Sequence, residues 1–388
     1  MAAQILSNMS SEFQNGWPSA LLRRLDSSLA PEIRNVVLLG IICFVAATWL
    51  TKYAVTQNGG KSRLPDTKQF DCMGTIEGLD KLKWEEEKPE RIYKFADTYH
   101  LTMGLRKTDI NWITRVDQQY RERIEERKKI IEQYPGALGY VESGVEMLNE
   151  LYSFMFTHYL PKRYPTMFRI DAKRQTCHNL VLDKYVPLSP PTDHIEALRH
   201  IALAIDEDFL MLLPSPDGDG YSLQAFVWLY PVGFDPQAKL GMKLRDAHKP
   251  VPSYKQHLQM SMDRYFARLT PGNVVNRVNW AVATNSSLCE RGEYHLYSDE
   301  QVPTDTKVDM NDTWVRCELQ TLFGLPKSGG RILSVHLYLY PIQEIKDVGL
   351  AEEMCRAIDG YGAGNAPGFS RYKRIPVWGE VVKKFLRS

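Results

Sequence analysis

The 388-residue chain predicts an α+β domain, an antiparallel sheet with flanking helices, preceded by an N-terminal membrane anchor. Three observations carry this reading. Amphipathic helical stretches dominate before about residue 205, and short alternating blocks split by the turn D-G-D-G at 217–220 follow it. The order helices, sheet, helix, sheet, helix keeps the two element types apart, which is the α+β pattern. Residues 36–50 form an uninterrupted uncharged run.

That run, V-V-L-L-G-I-I-C-F-V-A-A-T-W-L, extends to 35–54 and so approaches the roughly 20 residues a spanning helix needs. Trp49 and Tyr53 suit the membrane interface, and Lys52 closes the run. No small-x-small cleavage pattern follows closely. The chain therefore divides into a tail at 1–34, a single transmembrane anchor at 35–54, a linker at 55–92 and a domain at 93–388. Apolar residues make up 44% and charged residues 24%, enough for an ordinary core. A formal charge of +1 leaves no bulk field for nucleic acid. None of the six cysteines forms a C-x-x-C pair, which excludes a zinc knuckle and fits a reducing compartment.

Within the domain, 109–134 reads as a helix capped by Asp109, with Ile110, Trp112, Ile113, Val116 and Tyr120 turned inward. A second helix spans 141–159 and ends on His158, expected at the surface or as a cap. A third carries His194 and His200, whose spacing of six puts them on separate faces and argues against a metal pair. Strands follow at 206–214, 221–230 and 331–340, then a helix at 342–358, a loop at 360–368 and a short helix at 381–386. The glycine-rich 360–364 lacks a leading strand and is a turn. The phosphate-loop, H-E-x-x-H and G-x-S-x-G patterns are missing, which removes nucleotide-fold, zinc-protease and serine-hydrolase readings.

Four segments carry candidate chemistry. In 102–112, Arg106 offers a planar fork for a carboxylate, although a plain loop reads the same way. In 230–254, His248 precedes Pro250 and Pro252, which are expected to hold it on an extended, rigid backbone. A lone histidine is by default a satisfied core or surface residue, and the alternative is a metal ligand. In 265–280, a strand puts Arg277 and Asn279 on one face and Val278 and Trp280 on the other. In 316–331, Arg316, Glu318 and Gln320 alternate toward one side near Trp314, which suggests a lined pocket, and His336 is expected buried on the next strand.

Together these segments resemble the haem-dependent oxidative N-demethylase alpha-subunit family over about residues 93–375. The carriers are M-G-L-R with D-x-x-W, the H-x-P-V-P block, R-x-N-W, and Q-T-L-x-x-L-P-x-S-G, all in family order. The resemblance implies a PAS-like haem-binding fold with haem b as cofactor and His248 as proximal iron ligand. Arg277, Asn279 and Arg106 would help bind the cofactor, and Glu318, Arg316, Gln320 and His336 would serve catalysis. Glu318 stands either as the carboxylate partner of the proximal imidazole or as a distal substrate group. The implied reaction is O₂-dependent oxidation or demethylation of a small amine or specialised metabolite, with electrons from a separate flavin and iron–sulfur reductase. That need for reductant, with the cysteine usage, places the domain on the cytosolic side of a membrane such as the endoplasmic reticulum. The chain departs from the family at Leu229, Ala247, Leu319, Gly324 and His336, where lost positive charge at the last three points to a changed substrate. A haem-binding sensor or carrier, and a degenerate structural homologue, are the alternatives.

Overall fold

A computed structural model describes residues 64–388, apart from 293, 304 and 305. The anchor expected at 35–54 and the tail before it lie outside the described residues. Among the described residues no helix is long and apolar enough to cross a membrane.

The strands are β1 (Arg106–Thr108), β2 (Leu138–Tyr140), β3 (Phe168–Asp171), β4 (Thr176–Asn179), β5 (Lys184–Pro187), β6 (Glu207–Pro214), β7 (Tyr221–Val227), β8 (Val274–Ala283), β9 (Trp314–Gly324) and β10 (Arg331–Pro341). The helices are α1 (Tyr120–Gln133), α2 (Val145–Ser153), α3 (Leu160–Arg163), α4 (His194–Ala202), α5 (Leu244–Ala247), α6 (Tyr254–His257), α7 (Gln259–Arg268), α8 (Ile342–Asp347), α9 (Ala351–Gly360), α10 (Gly368–Tyr372) and α11 (Ile375–Arg387). Seven strands form one antiparallel sheet in the order β1-β8-β9-β10-β6-β7-β2, and β3-β4-β5 form a small second sheet. The α+β class expected from the sequence is therefore the observed one.

The long central strands set the site. β8 and β9 pair with Asn279 opposite Glu318 and Arg277 opposite Gln320. β9 and β10 pair with Gln320 opposite Val335. One face of this sheet thus presents a row of polar residues flanked by leucines. The other face carries Val278, Trp280, Val315, Cys317 and Leu319, packed against Trp378, Val382 and Leu386 of the C-terminal helix. Burial of this kind is the main stabilising term for a sheet face.

Local signals explain several boundaries. Asp193 caps α4 by accepting from the backbone N–H groups of Ile195 and Glu196. The β6–β7 turn works because Gly218 and Gly220 take φ of +73° and +81°. The P-x-S-G stretch is the β9–β10 turn, held by Glu150, whose carboxylate accepts from the backbone N–H groups of Lys327 and Ser328 at 2.7 Å each.

Four expectations need correction. The helix expected at 109–134 begins only at Tyr120: Asp109 does cap, but over the short turn Ile110–Trp112. Asp117 then takes the N–H of Gln119, closing a second local turn before the helix. The helix expected at 342–358 is split around Gly349, whose φ of +76° ends the first half. Residues 64–92, expected to be linker, pack on the domain, with Phe70 and Met73 in its core. His158 is buried, not superficial: it lies in the π-helical stretch Phe154–Tyr159, its ring 5.5 Å from that of Phe70. Burial pushes its pKa down to about 4.

Candidate functional site

A cavity of about 370 Å³ lies over the polar row of the sheet. That volume falls in the range of small-molecule and cofactor sites, roughly 300–1,000 Å³. Its floor is Arg277 and Asn279 of β8, Arg316, Glu318, Gln320 and Leu322 of β9, and Leu333 and Val335 of β10. Leu244, His248 and Leu258 from the segment 244–258 wall one side. Tyr294, His295, Tyr297, Tyr372 and Lys373 wall another.

His248 caps the C-terminal end of α5. Its Nδ1 lies 2.8 Å from the carbonyl of Leu244, so this nitrogen donates and Nε2 keeps a lone pair. The ring stacks on Tyr254, centroids 5.1 Å apart and planes 16° from parallel. Burial lowers its pKa, which favours the neutral, metal-binding form. The backbone here is a tight turn, not the extended run expected from Pro250 and Pro252: the N–H of Val251 donates to the carbonyl of His248 at 2.9 Å. The rigidity comes from that turn and the stacked tyrosine. Glu318 does not partner this imidazole, since the Leu244 carbonyl occupies Nδ1.

Arg277 sits in the cavity floor with no hydrogen-bond partner on Nε. Burial lowers its pKa, against the weaker opposing pull of Tyr99 and Glu318. A half-buried guanidinium whose enclosed Nε lacks a partner is a receptor for an anion. Arg316 shares the unpartnered Nε but engages both of its terminal nitrogens. It donates to the carbonyls of Tyr230 at 2.9 Å and Leu288 at 3.1 Å, tying two loops to the sheet. Glu318 Oε2 accepts from Gln320 Nε2 at 2.9 Å and from Asn279 Nδ2 at 3.3 Å. Asn279 Oδ1 in turn accepts from Lys373 Nζ at 3.2 Å.

The cavity therefore gathers His248, Arg277, Asn279, Arg316, Glu318 and Gln320, six of the eight residues singled out from the sequence. Arg106 is exposed on β1, and its neighbour Leu105 reaches the cavity instead. His336 is buried as expected but faces the other side of β10, with Nδ1 2.9 Å from Glu207 Oε1. Strand alternation decides this, because Val335 takes the cavity side. Leu229, Leu319 and Gly324 likewise do not line the cavity. Leu229 belongs to the main core, and Leu319 packs toward the C-terminal helix. The arginines lost relative to the family pattern thus leave the cavity lining intact.

Sequence reasoning missed Lys373, His295 and the tyrosines beside them. Burial holds the pKa of Lys373 down at about 8 and that of His295 at about 4. His295 stacks on Tyr372 with centroids 4.1 Å apart, and its Nδ1 has no partner. The clustering of Tyr294, His295 and Tyr297 was the one available hint. Among the described residues no group of three His, Cys, Asp or Glu side chains is placed to hold a metal ion. Residues 104–383 match the family described as haem-dependent oxidative N-demethylase, alpha subunit-like. With most of its length so matched, the chain belongs to that family, and its general function is haem-dependent oxidation.

Proposed function

We propose that the protein is a haem-dependent monooxygenase that oxidises a small amine or a related metabolite at a carbon next to nitrogen. The observation that carries this is His248: a half-buried imidazole on the cavity wall, its Nδ1 fixed by the Leu244 carbonyl and its Nε2 left with a lone pair. A porphyrin would bring its own nitrogen ligands, so a single imidazole such as His248 would suffice to hold it without a protein-built metal cage.

The residues present fit the group. Leu210, Leu212, Leu223, Leu322 and Phe266 offer apolar walls for a macrocycle. Arg277, half-buried with an enclosed Nε that has no partner, suits a propionate, and Lys239 adds a second cation on the side of His248. Haem b bound there supplies the redox-active iron at which dioxygen is reduced. The protein's own contribution would be to hold the His248 imidazole in one tautomer, to neutralise the propionates and to keep water from the apolar half. Glu318, oriented by Gln320 and Asn279, is placed to hold the substrate nitrogen rather than the imidazole. Demethylation of an N-methyl group takes one O₂, two electrons and two protons, and gives the amine, formaldehyde and water. The electrons require a separate reductase, for which a flavin and iron–sulfur protein is the proposed class. We assign the segment 35–54, with its uncharged run at 36–50, as a tether that holds the domain on the cytosolic face of a membrane.

The sensor reading drew its support from the lost arginines, and none of those positions faces the cavity, so no observation favours it. The test is the absorption spectrum of the full chain supplied with haem. A haem band that shifts sharply in His248→Ala is expected. Lack of any haem band would end the reading, and an unchanged band in the variant would move the ligand elsewhere.

A further inference from the structure

We propose that the polar end of the cavity is built for a zwitterion, an N-alkylated amino acid whose ammonium rests on Glu318 and whose carboxylate rests on Lys373. The proposal rests on the catalytic reading of the cavity given above and names its substrate class.

Charge balance is the first ground. Among the described residues, four cationic side chains, Lys239, Arg277, Arg316 and Lys373, face the cavity, and Glu318 is the one carboxylate that does. The two propionates of a haem would offset two of the three surplus charges. A positive charge remains, in a low-dielectric cavity where an uncompensated ion is expensive. A substrate carrying only an ammonium would add to the excess. A substrate that also carries a carboxylate relieves it.

Geometry locates the remaining charge. Arg316 is engaged by backbone carbonyls. Lys239 donates to the carbonyl of Ala247, beside His248. Lys373 lies at the other end, buried, and its partners among the described residues are neutral: Asn279 Oδ1 at 3.2 Å and the carbonyl of Trp280 at 3.0 Å. An ammonium has three donors, so one N–H is left. Glu318 mirrors this. Oε2 accepts from two amides, while Oε1 accepts nothing from the described residues.

The two charges do not close on each other, because Asn279 stands between them. Its amide donates to Glu318 and accepts from Lys373, which fixes its orientation and holds opposite charges one side chain apart. An α-amino acid has its ammonium and carboxylate two bonds apart, and charge-assisted hydrogen bonds of about 2.8 Å at each end let it bridge such a pair. Tyr297 and Tyr372 beside this pair offer ring faces to an alkylated ammonium.

The experiment is calorimetric binding to the haem-loaded full chain, with dimethylammonium, N-methylglycine and acetate as probes. N-methylglycine is expected to bind roughly tenfold or more tighter than either fragment, the worth of one charged hydrogen bond. Lys373→Met is expected to weaken N-methylglycine far more than dimethylammonium and so abolish that preference, and Lys373→Arg to retain it. Dimethylammonium binding as tightly as N-methylglycine to the wild-type chain would overturn the proposal, as would Lys373→Met weakening both alike. Haem loading is read first, from the absorption spectrum. A chain that takes no haem overturns both readings, whereas one that takes haem and ranks dimethylammonium first overturns this one alone.

Discussion

Two regions of this molecule bury several charges, and they do so in opposite ways. Between α1 and β6 every buried charge meets a partner. Arg127, fully buried, donates to Asp208 at 3.0 Å and to the carbonyls of Ala202 and Glu207 at 2.8 Å each. Arg123 pairs with Asp206 at 3.1 Å, and both guanidiniums lie over the ring of Tyr230. Over the cavity face of the sheet, Arg277 has an unpartnered Nε and Lys373 has only neutral partners among the described residues. A closed set of ion pairs does structural work, and a buried cation left open marks where a ligand supplies the missing charge.

The sign of a mutation should separate the regions. Arg127→Leu leaves Asp208 buried without its partner and is expected to destabilise the fold by about 3–5 kcal/mol, read by chemical denaturation. Arg277→Leu in the cofactor-free chain should do the reverse, raising stability by about 1–3 kcal/mol, because it removes a desolvated, unsatisfied donor. In the haem-loaded chain the same change should weaken cofactor retention. If Arg277→Leu destabilised the cofactor-free chain as Arg127→Leu does, the contrast would collapse.

The smallest effect is a pH dependence at Glu207 and His336. Burial raises the carboxyl from 4.5 to about 8 and lowers the imidazole from 6.5 to about 4. Folded, the pair keeps one proton, on Glu207, between about pH 4 and 8; unfolded, it holds one proton between 4.5 and 6.5 and none above. Stability should thus be flat from pH 4.5 to 6.5 and fall as pH rises from 6.5 to 8, by at most about 1.4 kcal/mol per pH unit. Glu207→Gln should remove that alkaline fall. It should expose instead a loss on acidification from 6.5 toward 4, from His336 alone. Denaturation midpoints across pH check both limbs, and an unchanged alkaline slope in the variant would assign it to another group.

Much of the site was legible in residue order. Alternation along β8 and β9 put Arg277 with Asn279, and Arg316 with Glu318 and Gln320, on one face before any coordinates, because a strand has a period of two. The same rule, once the pairing was known, turned His336 away, and no single strand's sequence says which of its faces meets the cavity. The resemblance reached His248 but assumed an extended support, where the hydrogen bonds make a turn.

By itself, then, the sequence determined the α+β class, the long polar strand and the identity of the histidine, since these follow from local period, turn chemistry and motif order. The tertiary structure alone decided which charges are paired. Arg127 finds Asp208 from 81 residues away, and Lys373 reaches Asn279 across 94. Whether a buried ion is satisfied depends on contacts made between distant segments, and local pattern carries no record of them.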